Sequence, residues 1–187
     1  MKSGQRKQQN SIFIGMIKAL HCRLLLFKFG YCIFVITIAV EIGFGDRVYW
    51  GFTNKYGQLV AVIADKIILQ DDSCEPVNSD GRYYDDEAAV PGTEREDLDQ
   101  GHVIADSLGG VSNAYNITPQ DSTLNRHGDQ AYMEKVIRDA KGCQNFVVTI
   151  IYPDTSTQIP LSYRFEYIIK GNAITDEFDN INPEEDS

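Results

Sequence analysis

Apolar positions along the chain fall into short runs separated by polar, turn-forming residues, and most runs are rich in β-branched residues. Runs of this length and composition favour strands over helices. The predicted strands are Val48–Phe52, Leu59–Leu69, Gly101–Ala105, Tyr115–Thr118, Asn145–Tyr152 and Ile159–Lys170. Ser122–Lys141 instead repeats its apolar residues at helical spacing and stops at Gly142, which predicts a helix. This order of elements predicts an α+β fold with a mixed or antiparallel sheet.

One polar, acidic segment separates the first two predicted strands from the rest, and another follows the last strand. Asp71–Asp97 contains prolines and glycines and is predicted to be a long loop. Asn172–Ser187 is acidic and is predicted to fray as a tail. We therefore expect one folded domain over residues 46–175 and a flexible tail over 176–187.

The first 45 residues differ in character from the rest of the chain. They carry six basic residues and one acidic residue, and the basic residues lead into the apolar run Leu24–Val40, which only Lys28 interrupts. Its uninterrupted part, Phe29–Val40, is 12 residues long. That length suits the apolar core of a signal peptide better than a membrane span, which needs about 20 residues. Three interpretations stay open: a cleaved signal peptide, an uncleaved membrane anchor and a core helix. The first two place the folded domain outside the cytoplasm.

Charge and cysteine content bear on the possible binding partners and on disulfide formation. The chain has 17 basic and 27 acidic residues, a net charge of −10, which opposes simple electrostatic binding of nucleic acid. Cys74 and Cys143 are the two cysteines outside the first 45 residues. They pair with each other in an oxidising compartment, or they are two separate buried thiols; the sequence leaves both alternatives open.

Several polar side chains in the middle of the chain are candidates for chemistry. His102 follows Asp99, Gln100 and Gly101, and the Asp99 carboxylate could hold the imidazole in one tautomer. Asn116 and Asn125, nine residues apart, could converge on one spot as neutral ligands. Each is also explained by an ordinary turn or capping role.

Glu134 is the acidic candidate on the predicted helix. It lies nine residues after Asn125, which is half a turn away from the same face of a regular helix. Gly128 could break the helix between them and change that relation. Glu134 and Arg138 are four residues apart and could simply form a surface ion pair.

The combination of these segments is more specific than any one of them. Asp-Gln-Gly-His at 99–102, Asn-Ile-Thr-Pro-Gln-Asp at 116–121, Leu-Asn-Arg at 124–126 and an acid on a helix resemble the DNA/RNA non-specific endonucleases. These are ββα-metal nucleases with a D-R-G-H motif. The run from Gly101 to Gly110 is similar to their compact, secreted and toxin-associated branch. The resemblance covers about Asp97–Lys141 closely.

The resemblance implies a mechanism for hydrolysis of DNA and RNA. His102 would be the general base, and Asn125 would be the single direct protein ligand of Mg²⁺, for which Mn²⁺ could substitute. Asn116 would help to position His102 or the phosphate, and Glu134 would hold a metal-bound water. Mg²⁺ keeps most of its waters, so one amide oxygen can suffice as its protein ligand. The implied products carry 5′-phosphate ends.

The chain departs from the family pattern in two ways. Gln100 stands where the family has arginine, and one residue is inserted between Asn125 and Glu134, so that Asp129 is the alternative acid. Gln100 and Arg126 are candidate substrate contacts. Two arginines of the preceding loop, Arg95 and Arg82, are further candidates for a phosphate contact.

Three hypotheses for function follow. The first is an exported or membrane-anchored, Mg²⁺-dependent endonuclease that cleaves DNA and RNA without reading bases, used for scavenging, for defence or as a toxin that an inhibitor protein would control. The second is a catalytically weak exported module with the nuclease fold that binds cations or a partner. The third is a specific phosphodiesterase of the HNH type, whose usual additional His or Cys spacing this sequence lacks.

Overall fold

The computed structural model describes residues 25–29, 32–75 and 90–181. In chain order its strands are β1 (Leu25–Phe29), β2 (Cys32–Glu41), β3 (Tyr49–Asn54), β4 (Leu59–Lys66), β5 (Leu98–His102), β6 (Ile117–Asp121), β7 (Gln144–Ile151), β8 (Ser162–Ile169) and β9 (Asn172–Asp179). Two helices follow β6: α1 (Ser122–Arg126) and α2 (Asp129–Asp139).

The strands form two antiparallel sheets in the described part of the chain. The main sheet has seven strands in the order β1-β2-β3-β4-β7-β8-β9. β5 and β6 pair only with each other and form a two-stranded ribbon, here called the β5–β6 ribbon. The ribbon contacts the main sheet through Thr118 and Tyr163, and α2 contacts β9. The predicted α+β class is confirmed, and the sheets are antiparallel.

Aromatic residues of the last strands build much of the core between the main sheet and the ribbon. Phe146, Tyr163 and Phe165 are fully or almost fully buried. Phe165 stacks on Phe178 with ring centroids 5.2 Å apart and meets Phe146 edge to face at 5.8 Å. The hydroxyl groups of Tyr163 and Thr118 are 2.9 Å apart, so a hydrogen bond ties β6 to the main sheet.

The Gly109-Gly110 turn is packed against a buried arginine. Arg47 is 5% exposed; its guanidinium donates to the carbonyl oxygens of Ile68 and Leu69 at 2.8 and 2.7 Å and forms an ion pair with Glu75. Gly109 has a φ of +83°, and a Cβ there would clash with the Arg47 side chain. The turn therefore requires glycine both for its backbone conformation and for its close approach to Arg47.

The prediction of a frayed tail is wrong for residues 172–179, which form β9 at the edge of the main sheet. Lys170 and Gly171 both have positive φ, which matches a tight two-residue hairpin turn. Phe178 is buried, and Asp176 accepts a hydrogen bond of 2.6 Å from the hydroxyl of Tyr167. The sheet thus extends beyond residue 175, and residues 182–187 lie outside the described residues.

The apolar run of the head is extended where the structure describes it. Residues 32–41 form β2, which pairs with β3, so this stretch is a strand and not a core helix. Its β-branched residues explain the preference for a strand. No helix among the described residues is long and apolar enough to cross a membrane. The main sheet therefore begins before residue 46, the predicted start of the folded domain, and includes residues of the apolar run. Residues 1–24 lie outside the described residues, and a signal peptide or anchor there stays a prediction.

The pairing of Cys74 with Cys143, one of the two alternatives that the sequence left open, is not seen in the structure, where both thiols are free. Cys143 is buried beside the start of β7, and burial raises the pKa of its thiol to about 12. Cys74 is exposed on the loop after β4, and a hydrogen bond with Asp71 raises the pKa of its thiol. Of the two alternatives, separate thiols are observed, although only one of them is buried.

A glycine substitution tests the packing of Arg47 against the Gly109 turn. We expect Gly109→Ala to lower the free energy of unfolding by about 2–5 kcal/mol, because left-handed backbone strain adds to overpacking. The matched control is Gly171→Ala, where φ is +86° but no atom lies within 4 Å of the added Cβ. The control should cost only the backbone strain of about 1–2 kcal/mol. Equal losses in urea unfolding of both variants would contradict the close contact.

Candidate active site

The β5–β6 ribbon carries the segment Asp99–His102 at its β5 edge. Asp99 pairs with Gln120, Gly101 with Thr118 and His102 with Ile117. A Cβ on Gly101 would clash with the Gln120 side chain, which lies across the glycine. Glycine at this position therefore lets a buried amide pack directly over the strand that ends in His102.

The His102 imidazole contacts a serine that the sequence did not single out. Its Nε2 lies 2.6 Å from Oγ of Ser112, which is fully buried. The backbone of His102 is held separately, since its carbonyl oxygen accepts a hydrogen bond of 2.8 Å from Nε2 of Gln130 in α2. Both the ring and the main chain of the candidate base thus have fixed partners.

Asp99 binds the two residues at the end of α1, not the His102 ring. Its carboxylate accepts hydrogen bonds from Nε and Nη2 of Arg126 at 2.7 and 2.5 Å and from Nδ2 of Asn125 at 3.0 Å. Burial raises the pKa of Asp99, but the hydrogen bonds from Arg126 and Asn125 outweigh this and lower it below its ordinary value. The predicted role of Asp99 in fixing the imidazole is therefore wrong.

The contact with Asp99 also orients the amide of Asn125. Because Nδ2 donates to the carboxylate, Oδ1 is the atom left for another partner. No hydrogen bond reaches Oδ1 from the residues that the structure describes. The helix that carries Asn125 is capped by the Asp121 side chain, which accepts from the amides of Thr123 and Leu124 at 2.9 Å each.

Asn180, from the segment predicted to be a tail, holds the same helix start. Its Oδ1 accepts from the amide of Asp121 at 2.8 Å, and its Nδ2 donates to the carbonyl oxygens of Pro119 and Pro160 at 3.0 Å. Only 9% of Asn180 is exposed. The chain end beyond β9 therefore fixes the junction between β6 and α1.

The predicted helix is two helices, broken at His127 and Gly128. α1 ends at Arg126 and α2 begins at Asp129, so Asn125 and Glu134 lie on different helices. In a single helix Asn125 and Glu134 would face opposite sides. Because the helix is broken between them, this restriction does not apply. Glu134 is largely buried, with 16% of its side chain exposed, whereas Asp129 is exposed in the first turn of α2.

Glu134 lies in a buried polar network. Its carboxylate accepts a hydrogen bond of 3.3 Å from Nε2 of Gln130 and lies 3.6 Å from Arg138. Burial raises the pKa of Glu134, and these two partners oppose the shift. Gln130 is fully buried, and its Oε1 accepts from Gln120. Because Gln130 also binds the carbonyl of His102, it connects the candidate base to the candidate acid.

Asn116 has a structural role. It is fully buried; its Oδ1 accepts from the amide of Ile104 at 3.0 Å, and its Nδ2 donates to the carbonyls of Ile104 and Val111 at 2.9 and 2.8 Å. These bonds use the side-chain amide within the loop that follows β5. Both N–H groups of the Asn116 amide thus bind backbone carbonyls, and its predicted role in positioning His102 or the phosphate stays a prediction.

The remaining candidates are placed as follows. Gln100 is half-buried on β5 opposite Pro119. Arg95 is exposed and forms an ion pair with Asp97. Arg82 lies outside the described residues. A cavity of about 310 Å³ lies on the β6 side of the ribbon; its lining includes Thr53, Leu59 and Tyr152 but none of His102, Asn125 and Glu134.

A metal site made of three His, Cys, Asp or Glu side chains is absent from the described residues. The oxygen atoms that could bind a metal are Oδ1 of Asn125 on α1 and the carboxylate of Glu134 on α2. A single neutral oxygen with open surroundings suits Mg²⁺, which keeps several of its waters. It does not suit Zn²⁺, which takes several nitrogen or sulfur ligands.

Sequence reasoning missed Ser112, Gln130 and Asn180. Ser112 and Gln130 are polar residues in otherwise buried surroundings, and helical spacing puts Gln130 on the face of Met133 and Ile137. A polar residue on the apolar face of a helix is a signal that could have identified Gln130. No comparable pattern marks Asn180.

The structural role of Asn116, which binds the backbone of Ile104 and Val111, can be tested by removing its side-chain amide. We expect Asn116→Ala to lower the free energy of unfolding by about 2–4 kcal/mol, because three hydrogen bonds are lost and buried backbone groups are left unsatisfied. The matched control is Asn113→Ala; Asn113 is 6% exposed and accepts one hydrogen bond, from the amide of Tyr115. The control should cost about 1 kcal/mol. An unchanged unfolding midpoint for Asn116→Ala would contradict this structural role.

Comparisons with known proteins identify the family and the fold of the chain. Residues 66–171 match the family model described as DNA/RNA non-specific endonuclease. The fold is similar to NucA from Streptococcus agalactiae with a magnesium ion bound, at a TM-score of 0.55 and 16% identity, covering 91% of this chain and 90% of that one. NucA with no metal bound gives a TM-score of 0.52 at 15% identity, over 91% and 89% of the two chains. No curated protein matches the sequence. The chain therefore belongs to the DNA/RNA non-specific endonuclease family, whose reaction is hydrolysis of phosphodiester bonds.

Proposed function

We propose that this protein is a Mg²⁺-dependent endonuclease that cleaves DNA and RNA without sequence preference, with His102 as general base. The observation that carries the proposal is the Asp99 carboxylate. This carboxylate binds the side chains of both Asn125 and Arg126. Asp99 itself lies on β5, three residues before His102. A base, an oriented amide oxygen and a guanidinium are the groups that hydrolysis of a phosphodiester requires.

His102 takes the proton of the attacking water. An imidazole is the side chain best suited to general-base work around neutral pH. The hydrogen bond of Gln130 to the His102 carbonyl fixes the backbone, and the contact with Ser112 fixes the ring. A base held at both points needs little reorganisation when the water arrives.

Asn125 would hold the Mg²⁺ through its Oδ1, and Mn²⁺ could substitute because it also accepts oxygen ligands. When bound, the ion supplies positive charge that stabilises the phosphate and the departing 3′ oxygen. The donation from Nδ2 of Asn125 to Asp99 keeps Oδ1 turned outward. Glu134, as a buried carboxylate next to Gln130, would orient water on this side of the site.

Arg126 is the best-supported contact for the phosphate. Its side chain is 62% exposed, and Asp99 engages only Nε and Nη2. A guanidinium has five N–H donors, so three of them remain for phosphate oxygens. Gln100, in the position of the family arginine, adds neutral amide donors, which bind phosphate more weakly than a cation does.

The charge of the chain shapes how the substrate is bound. With a net charge of −10, long-range attraction of nucleic acid is weak, and binding depends on a few local contacts. Contacts to phosphate and sugar carry no base information. We therefore infer cleavage of both DNA and RNA, weak affinity and strong salt dependence. We also propose that the enzyme works outside the cytoplasm; the support is the cluster of basic residues at the start of the sequence, since the apolar run that follows it forms the strands β1 and β2.

Replacement of His102 tests the proposed base. In the full chain, His102→Ala should lower the rate of plasmid and RNA cleavage in Mg²⁺ by about 100-fold to 10,000-fold. His127→Ala is the matched control, because His127 is exposed in the turn between α1 and α2. EDTA should abolish cleavage by the native chain. A folded native chain that binds Mg²⁺ but cleaves neither substrate would favour the catalytically weak binding module.

Replacement of Arg126 tests the phosphate contact. Arg126→Gln should lower kcat/KM about 10-fold, the equivalent of one lost charge-assisted hydrogen bond. The slope of log kcat/KM against log salt concentration should become shallower by about 1. Arg95→Gln is the control, since Arg95 is also an exposed arginine paired with an aspartate. If kcat/KM fell in Arg95→Gln and not in Arg126→Gln, the phosphate contact would lie in the loop before β5 and not at Arg126.

A further inference from the structure

Gln130 is a buried polar residue on the apolar face of α2. It has 0% of its surface exposed and lies on the same side of the helix as the buried Met133 and Ile137. Burial of an amide is unfavourable unless its N–H and carbonyl groups form hydrogen bonds. A packed apolar side chain would avoid that cost, so the partners of the amide indicate why a glutamine stands here.

These partners determine the orientation of the Gln130 amide. Its Nε2 lies 2.8 Å from the backbone carbonyl oxygen of His102, an atom that can only accept a hydrogen bond. With the nitrogen fixed at this carbonyl, Oε1 of Gln130 is the atom that accepts from Nε2 of Gln120. The reversed amide would place two oxygen atoms against each other at His102. The nitrogen of Gln130 therefore faces β5, and it has a second N–H for another partner.

The second N–H is directed at Glu134, one turn further along α2. Nε2 of Gln130 lies 3.3 Å from Oε1 of Glu134. The other carboxylate oxygen, Oε2, lies 3.6 Å from Nη1 of Arg138. Arg138 has 39% of its side chain exposed, and its Nη1 also donates to Oγ of Ser107 at 3.1 Å. Glu134 thus lies between a fully buried amide and a partly exposed cation that has another partner.

The two partners restrict Glu134 to different degrees. A partly exposed ion pair between residues four apart is weak, since solvent screens it and both side chains are flexible. The Gln130 amide cannot turn away in the same manner, because its other N–H and its carbonyl oxygen are bound to His102 and Gln120. Gln130 is therefore the partner that fixes Glu134 relative to the strand that carries His102.

We propose that Gln130 is a positioning residue that holds the Glu134 carboxylate in a fixed place relative to His102. The proposal rests on the proposed function, in which Glu134 orients water beside the ion that Asn125 would hold. Loss of a group that orients the surroundings of a metal typically lowers metal affinity or activity by about 10-fold to 100-fold. Gln130 itself touches neither the metal nor the substrate.

Metal binding tests the proposal without any cleavage reaction. The probe is Mn²⁺, whose binding to the full chain is measured by electron paramagnetic resonance. Gln130→Met keeps the length of the side chain and removes both N–H donors, and it should raise the dissociation constant of Mn²⁺ about 10-fold. Met133→Leu is the matched control, a volume-conserving change of a buried residue on the same face of α2, and should leave that constant unchanged. Native affinity in Gln130→Met would overturn the proposal.

A double-mutant cycle distinguishes positioning of Glu134 from a general structural role. If Gln130 acts through Glu134, Gln130→Met should cause no further loss of Mn²⁺ affinity in a Glu134→Ala chain. A loss of the same size in both backgrounds would show that Gln130 does not act through Glu134, and would refute the proposal. In cleavage assays, Gln130→Met should lower kcat about 10-fold to 100-fold and leave KM for the nucleic acid unchanged.

Gln130→Asn is a second variant for the case that methionine prevents folding. It keeps a buried amide but is one methylene shorter, so it cannot bond both the His102 carbonyl and the Glu134 carboxylate. We expect a folded chain with the same loss of Mn²⁺ affinity; a folded Gln130→Asn with native affinity would contradict the role of Gln130.

Failure of the proposed function has a different signature. Because the chain is acidic, Asn125→Ala shows which part of the Mn²⁺ binding belongs to the site. Native binding that Asn125→Ala leaves unchanged would refute the metal site itself. Binding that Asn125→Ala abolishes and Gln130→Met leaves unchanged would refute only the role of Gln130.

Discussion

The candidate base sits on a two-stranded ribbon, and two strands alone are at best marginally stable in water. The arrangement of the site therefore depends on how the β5–β6 ribbon is attached to the main sheet. The hydrogen bond between Thr118 and Tyr163 joins the two sheets inside the core. Asn180 pins the end of β6 to the segment before β8 and to the start of α1. Without these attachments, His102 and Asn125 would have no fixed relation.

Neutral amides make most of these attachments. Asn116, Gln130 and Asn180 are buried, and the amide of each donates to backbone carbonyl groups of another segment. An amide both donates and accepts, so it can bridge a carbonyl and an N–H at much lower desolvation cost than a charged group. The strongly charged pair of the site, Asp99 with Arg126, lies at the surface, where its charges stay partly solvated. The buried amides hold the segments of the site in place, whereas the charged Asp99–Arg126 pair remains accessible at the surface.

The sequence predicted the family segments and the type of most elements, but it assigned several partners wrongly. Asp99 was predicted to hold His102, yet it binds Arg126 and Asn125, because those residues return to the strand from α1. The tail was predicted to fray, yet β9 pairs with β8, since its alternation of Ile174, Asp176 and Phe178 fits one face of a strand. The break between α1 and α2 was foreseeable from Gly128, whereas its effect on Glu134 depends on how α2 packs.

By itself, the sequence determined the order and type of most elements and the short motifs that resemble the family, because periodicity and short motifs are local properties of the chain. Only the tertiary structure decided which groups those residues meet. Ser112 contacts His102 from a separate loop, and Asn180 reaches Asp121 across 59 positions. A hydrogen bond between such distant positions depends on the relative placement of whole strands, and that placement is set by packing of the shared core and not by any local pattern.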